Sequence, residues 1–177
     1  MTITVLDPTA ASATTSTVLN PRPESVRGLR VGLLDNGKPN SDRFLLALAD
    51  ELRRRGAVVS SPVRKANIGR LAAPELISHL TASSDLVVTG VGDCAGCCSC
   101  STQDAMSVEN QGRPTVVVCT MEFLTTAHLA ARTAGVQDYP FAVIDHPFGS
   151  LTSRQVGDRA AEVATALWGE AGERSSP

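Results

Sequence analysis

The chain has 177 residues, 42 % hydrophobic and 19 % charged, which predicts one globular domain with a sizeable core and excludes a largely disordered polymer. A net charge of −2 and an aromatic content of 3 % exclude the basic field and the stacking platform that nucleic acid needs, and leave nothing to grip an anionic membrane. The unusual feature is five cysteines, four of them between positions 94 and 100.

Residues 1–27 are rich in Thr, Ser, Ala and Pro and follow no sustained period, so they are predicted to form a flexible tail, with at most a short element near Val18 and Leu19. They lack the basic and apolar regions of a signal peptide, and no apolar run reaches the ~18 residues that cross a bilayer. Residues 28–168 alternate short apolar runs with amphipathic stretches. The runs are Leu29–Leu34, Ala57–Ser60, Asp85–Thr89, Thr115–Cys119 and Phe141–Ile144, continuous and rich in β-branched residues, as suits parallel strands covered on both faces. Helices are predicted from Ser41 to Arg55, stopped by Gly56, and from Pro74 through Leu80. Further helices follow over Thr102–Gln111, over about Glu122–Ala134, and from the capping-box pattern at Thr152–Gln155 through Leu167. Residues 169–177 read as a frayed end. The pattern predicts a three-layer α/β sandwich of the flavodoxin or Rossmann kind, with a five-stranded parallel sheet in the order 2-1-3-4-5.

In such a sheet ligands bind at the carboxyl ends of the strands where the order reverses, between the loops after strands one and three. The first loop is Asp35-Asn36-Gly37-Lys38-Pro39-Asn40, and the second runs from Gly90 to Cys100. Cys94 and Cys97 form a Cys-x-x-Cys pair, predicted to sit in a glycine-rich turn before a helix. There a helix N-terminus and a neighbouring thiol favour the reactive thiolate. Gly92 and Gly96 allow tight geometry with exposed N–H groups, whereas Asp93 opposes a thiolate unless it faces away. Lys38, one of two lysines, is a candidate to hold a carboxylate or phosphate. Glu122, Asp145 and His146 follow strands four and five, which puts a general acid or base at the same rim. Cys119 ends strand four as either a further resolving thiol or a buried strand residue. His79 and His128 read as structural, and Arg53, Arg54 and Arg55 as a solvated helix end. The four clustered cysteines, Cys94, Cys97, Cys98 and Cys100, also admit zinc, iron or cobalt as an alternative.

On three segments, Gly32–Asn40, Gly90–Cys97 and Pro114–Thr120, together with His146-Pro147, the chain resembles the UGSC-type (seleno)proteins from about Gly28 to Leu167. The resemblance implies that Cys94, at the selenocysteine position, is the nucleophile and that Cys97 is its resolving partner. Ala95-Gly96 replace the Gly-Ser of the family name, and Cys98 and Cys100 exceed its pattern. More distantly, the cysteine loop is similar to the selenoprotein B-type subunits of glycine reductase, which suggests reductive attack on a carbon–heteroatom bond.

The leading expectation is therefore a cytoplasmic thiol-dependent enzyme, a reductase or lyase that requires no cofactor. Cys94 and Cys97 would carry the chemistry, and His146 or Glu122 would move protons. Asp35, Asn36, Gly37, Lys38, Asn40, Gly92, Asp93, Gly96 and Thr120 would line the binding site of an anionic small molecule. An external thiol or a thioredoxin-like protein would restore the dithiol, and assembly into a homo-oligomer stays open. The alternatives are a metal site on the four-cysteine loop and a redox-sensing subunit whose disulfide alters a partner interface.

Overall fold

The computed structural model describes residues 16–171. Residues 1–15 of the expected tail and 172–177 of the expected frayed end lie outside the described residues.

Among the described residues six strands and five helices follow in chain order: β1 (Arg30–Asp35), α1 (Ser41–Arg54), β2 (Val58–Val59), β3 (Val63–Arg64), α2 (Pro74–Ser83), β4 (Leu86–Gly92), α3 (Ala95–Glu109), β5 (Thr115–Thr120), α4 (Leu124–Thr133), β6 (Ala142–Ile144) and α5 (Ser153–Trp168). A short 3₁₀ turn, Met121–Phe123, leads into α4. The fold is α/β with a parallel sheet ordered β2-β1-β4-β5-β6, with β3 also on β1. The expected second strand, Ala57–Ser60, is only Val58–Val59, and β3, outside that expected run, adds a second short piece to the same edge of β1. Ser60-Ser61-Pro62 separates the two, because proline cannot donate to a ladder. Counted as one broken strand, the pieces restore the expected order.

Strand side chains alternate between two buried layers. Val31, Leu33, Val88, Val116 and Val118 meet Phe44, Leu45, Leu48 and Leu52 of α1 and Val156, Ala160 and Val163 of α5. Leu34 and Val87 face α2 and α3, and Val117 faces α3 and α4. Each fully buried leucine contributes about 1.5–3 kcal/mol of transfer free energy, so this pattern specifies the three layers.

Three expectations change. The chain from Thr17 is packed rather than a flexible tail. Asn20 bonds Glu109, Arg22 lies over the Tyr139 ring and donates to Thr115 and Pro140 carbonyls, and Val26 is 1 % exposed in the core. Arg55 is not solvated, because its guanidinium joins α1 to α5 through Gly169 O, Thr165 Oγ1 and Glu51. Helix α3 starts at Ala95, seven residues before the expected Thr102, so Cys97, Cys98 and Cys100 belong to a helix and not to a loop.

The pairing of β4 with β5 contains an irregularity that positions the site. Thr89 pairs with Val117, yet Gly92 pairs with Cys119, so β4 carries one extra residue. Gly90 adopts φ +149°, and a Cβ there would stand 2.7 Å from Val118 O, which only glycine avoids. Ser41 Oγ fastens the bulge by donating to Gly90 O and accepting from Val91 N at 2.7 Å.

Candidate functional site

The carboxyl ends of β1, β4, β5 and β6 share one edge of the sheet, and the predicted loops meet there. Cys94 is the N-cap residue of the 15-residue α3. Its sulfur accepts the Cys97 N–H at 3.3 Å and lies 2.7 Å from Cys97 Sγ. A helix N-terminus leaves its first N–H groups without intrahelical partners, and these concentrate partial positive charge on an anion placed at the cap. Cys94 is half-buried, whereas Cys97 is 1 % exposed. Burial and the hydrogen bond to Cys94 push the Cys97 thiol up to about 12. The accessible sulfur of the pair is therefore Cys94, and Cys97 is the one that burial holds in its thiol form.

The Asp93 carboxylate is taken up by groups other than the sulfurs, and the residue is 7 % exposed. Oδ1 meets His146 Nδ1 at 2.7 Å and accepts from Phe148 N, while Oδ2 accepts from Gly149 N at 3.1 Å and faces Lys38 Nζ at 3.5 Å. Its backbone N–H donates to Cys97 Sγ at 3.2 Å. One residue thus anchors the loop after β6, orients an imidazole through Nδ1 and braces the Cys97 sulfur. His146 stacks edge-on against Phe123 and lies 3.4 Å from Thr120 Oγ1.

Beside His146 a cleft of about 340 Å³ is lined by Met121, Glu122, Asp145, Pro147, Leu151 and Arg159. Glu122 is exposed on its wall, and Arg159 is tied to Asp145 and Glu162 at 2.7 Å.

The expected binding residues separate into two groups. Asn36 is 0 % exposed; it donates to Val91 O and Ser101 Oγ and accepts from Lys38 N, so its amide is consumed within the fold. Asp35 is 2 % exposed, accepts from Gly37 N and pairs with Arg64 at 3.0 Å. Asn40, at φ 69°, uses its amide to hold the Leu151 carbonyl at 2.9 Å. Gly92 is buried under Cys98, and Thr120 is 0 % exposed. These residues build the rim from within rather than face a ligand. Gly96 stands in open space at the start of α3, and Lys38 keeps 19 % of its side chain exposed.

The four clustered cysteines do not converge. All five cysteines are free thiols, and they form two pairs, Cys94 with Cys97 and Cys98 with Cys119, while Cys100 lies apart and half-buried. Among the described residues no three His, Cys, Asp or Glu side chains come together as a metal-holding group. The arrangement of Cys98 with Cys119, the pairing of Asp93 with His146, and the supporting hydroxyls of Ser41 and Ser101 were not foreseen from sequence. The bulge sets Gly92 opposite Cys119, and the early start of α3 carries Cys98 and Ser101.

No curated protein matches the sequence. Among solved structures the chain is similar to a diflavin flavoprotein A3 from Nostoc sp., at 13 % identity and TM-score 0.45, covering 79 % of this chain and 94 % of that one. It is also similar to a flavodoxin-like domain from Synechococcus sp., at 13 % identity and TM-score 0.41, covering 78 % of this chain and 97 % of that one. A model of the UGSC family matches residues 4–171, so the chain belongs to the UGSC family.

Proposed function

We propose that the chain is a thiol-dependent reductase that cleaves an activated carbon–heteroatom bond of a small molecule. The observation that carries this reading is Cys94 at the α3 N-cap, with Cys97 Sγ 2.7 Å away and the Asp93–His146 pair built on the residue before it. The exposed start of α3 at Ala95 and Gly96 offers N–H groups to an anionic substrate, and the cleft of about 340 Å³ on the His146 side of the rim suits a small one.

Cys94 attacks the carbon as thiolate and displaces the heteroatom group with its electron pair, forming a carbon–sulfur bond. Cys97 gives up its proton and attacks Cys94 Sγ. The carbon–sulfur bond breaks toward carbon, and the carbanion, stabilised by an adjacent carbonyl, takes a proton from His146. The substrate gains two electrons and the dithiol loses two as a disulfide. Two external thiols, or one dithiol protein of the thioredoxin kind, restore it. Such a cycle runs in a reducing compartment, and the cytoplasm is the location that fits five free thiols. No helix among the described residues is long and apolar enough to cross a membrane.

Intact mass spectrometry of a Cys97→Ser variant incubated with α-halo or α-amino carbonyl compounds tests the reading, since the variant cannot resolve the adduct. One adduct per chain, mapped to Cys94, is expected. Equal slow labelling of all cysteines would sink it.

A further inference from the structure

The proposed reaction uses one thiol pair and leaves another untouched. Cys98 and Cys119 are each 0 % exposed and pack together in one buried cluster, and the neighbouring Cys119 thiol together with burial pushes the Cys98 thiol up. The fold keeps a place for them. A Cβ on Gly92 would stand 2.4 Å from Cys98 Sγ and 3.2 Å from Cys119 Cβ, so β4 carries no side chain where the sulfurs meet. The bulge brings this glycine opposite Cys119. Ala127, Phe123, Leu124 and Phe141 close the other sides. No oxidant in solution reaches this pair directly.

Cys98 is also connected to the outer pair by helix geometry. Its N–H donates to Cys94 O at 2.9 Å, which places it one turn beyond Cys94. Residues four apart on a helix share a face with Cβ atoms ~5–6 Å apart, so a small movement at the N-cap brings Cys94 within the ~3.5–4.5 Å Cβ span of a disulfide. Cys97, the adjacent residue, is turned ~100° away around the helix.

We propose that Cys98 and Cys119 are a second, interior disulfide site that takes its oxidation from Cys94–Cys97 by thiol–disulfide exchange, with Cys94 as the relay. The inference rests on the reading of Cys94 and Cys97 as a working dithiol. Cys98 attacks Cys94 Sγ, the Cys94–Cys97 bond breaks, and Cys97 leaves with the electron pair and takes the Cys98 proton. Cys119 then attacks Cys98 Sγ, and Cys94 leaves with the second pair and takes the Cys119 proton. One disulfide is consumed and one is formed, so no outside reagent enters the step. The outer dithiol is returned ready for another turnover, and the chain delivers four electrons before it needs a reductant.

The test is stepwise oxidation of the full-length chain with diamide, followed by acid quenching, thiol counting in denaturant and non-reducing peptide mapping. In the wild type the count falls by two with the first equivalent and by two more with the second, and both Cys94–Cys97 and Cys98–Cys119 linked peptides are present at the end. Cys94→Ser, which removes the relay at a half-exposed position, is expected to form the inner disulfide at least ten times more slowly. A wild type that forms Cys94–Cys97 but never Cys98–Cys119 overturns the inference and leaves the proposed function standing. Equal rates of inner oxidation in the wild type and Cys94→Ser overturn the relay. If neither disulfide forms, the reading of the outer dithiol fails and this inference falls with it.

Discussion

Two pairs of thiols sit within one helical turn of each other, and their surroundings make them chemically different. Cys94 and Cys97 meet at the mouth of α3, beside Asp93 and His146. Cys98 and Cys119 meet behind it, sealed between β5, α3 and α4. Cysteine density in the sequence says nothing of this division. Position relative to the helix cap and to water decides which sulfur can act as a nucleophile. The sharpest way to break the comparison is to remove one member of each pair. Cys94→Ser is expected to lower turnover by at least ~10³-fold, the scale of losing a covalent nucleophile, measured as product formed per chain with excess dithiothreitol. Cys119→Ser, buried and remote from the substrate, is expected to stay within about threefold in the same assay. Similar losses in both would show that the pairs act as one unit.

The second effect in size falls on the residue that separates the outer pair from the rest of the rim. Asp93 accepts from two backbone N–H groups and meets His146 and Lys38 while nearly buried. Asp93→Asn keeps the shape but replaces one acceptor oxygen with a donor facing those N–H groups, and it leaves Lys38 with the Asp93 backbone carbonyl but no opposite charge. A loss of about 2–4 kcal/mol in urea denaturation is expected, with turnover reduced about 10–100-fold through the displaced imidazole. If stability is unchanged, the carboxylate is not the anchor of the loop after β6.

Much of this division was not legible in the chain itself, for identifiable physical reasons. The continuous Val- and Leu-rich runs announce parallel strands because both faces of the sheet are covered, and the caps at Pro74 and Thr152 mark where α2 and α5 begin. The meeting of the loops after β1 and β4 followed from topology, since loops after adjacent parallel strands share an edge. The start of α3 did not. Gly96 and the cysteines are mediocre helix formers, so local propensity favours a loop, and the tertiary contacts of Cys98 with Cys119 and of Ser101 with Asn36 override it. The Asp35–Asn40 loop misled in the opposite direction. Its polar residues look available for a ligand, yet they satisfy the backbone of the bulge and of the loop after β6, which no local pattern encodes.

Gly92 is where the two pairs can be altered with every thiol retained. Gly92→Ala pushes a methyl group to 2.4 Å from Cys98 Sγ, and Cys119 Cβ at 3.2 Å closes the alternative path. Overpacking of this kind costs about 1–3 kcal/mol, read from the urea midpoint. Iodoacetamide labelling of Cys94 in the native variant is expected to keep its wild-type rate within about twofold, because the clash lies behind the helix mouth. A large change in that rate would join the two pairs mechanically.

The smallest effect separates Cys97 from Cys94 by acid–base behaviour. Cys97 is pushed up to about 12 from 9.0, chiefly by burial and then by its bond to Cys94. A raised thiol stabilises the folded chain while it holds its proton. That contribution is complete below pH 9.0, where both folded and unfolded states are protonated, and it is lost as the pH climbs toward about 12. Between these limits the unfolded chain ionises freely and the folded chain does not, so unfolding gains on folding with each step of pH. By pH 10 the loss reaches about 1 kcal/mol, once solvent screening at the rim is allowed for. Tyr139, raised by burial, adds a slope of its own above pH 10, so the wild-type curve alone does not isolate the thiol. The difference between wild type and Cys97→Ser does, because both retain the phenol. Urea unfolding at pH 8 and pH 10 should show the wild type losing about 1 kcal/mol more than the serine variant over that interval. Parallel losses in the two proteins would mean that Cys97 ionises as easily as an exposed thiol, and the division of labour within the outer pair would have to be redrawn.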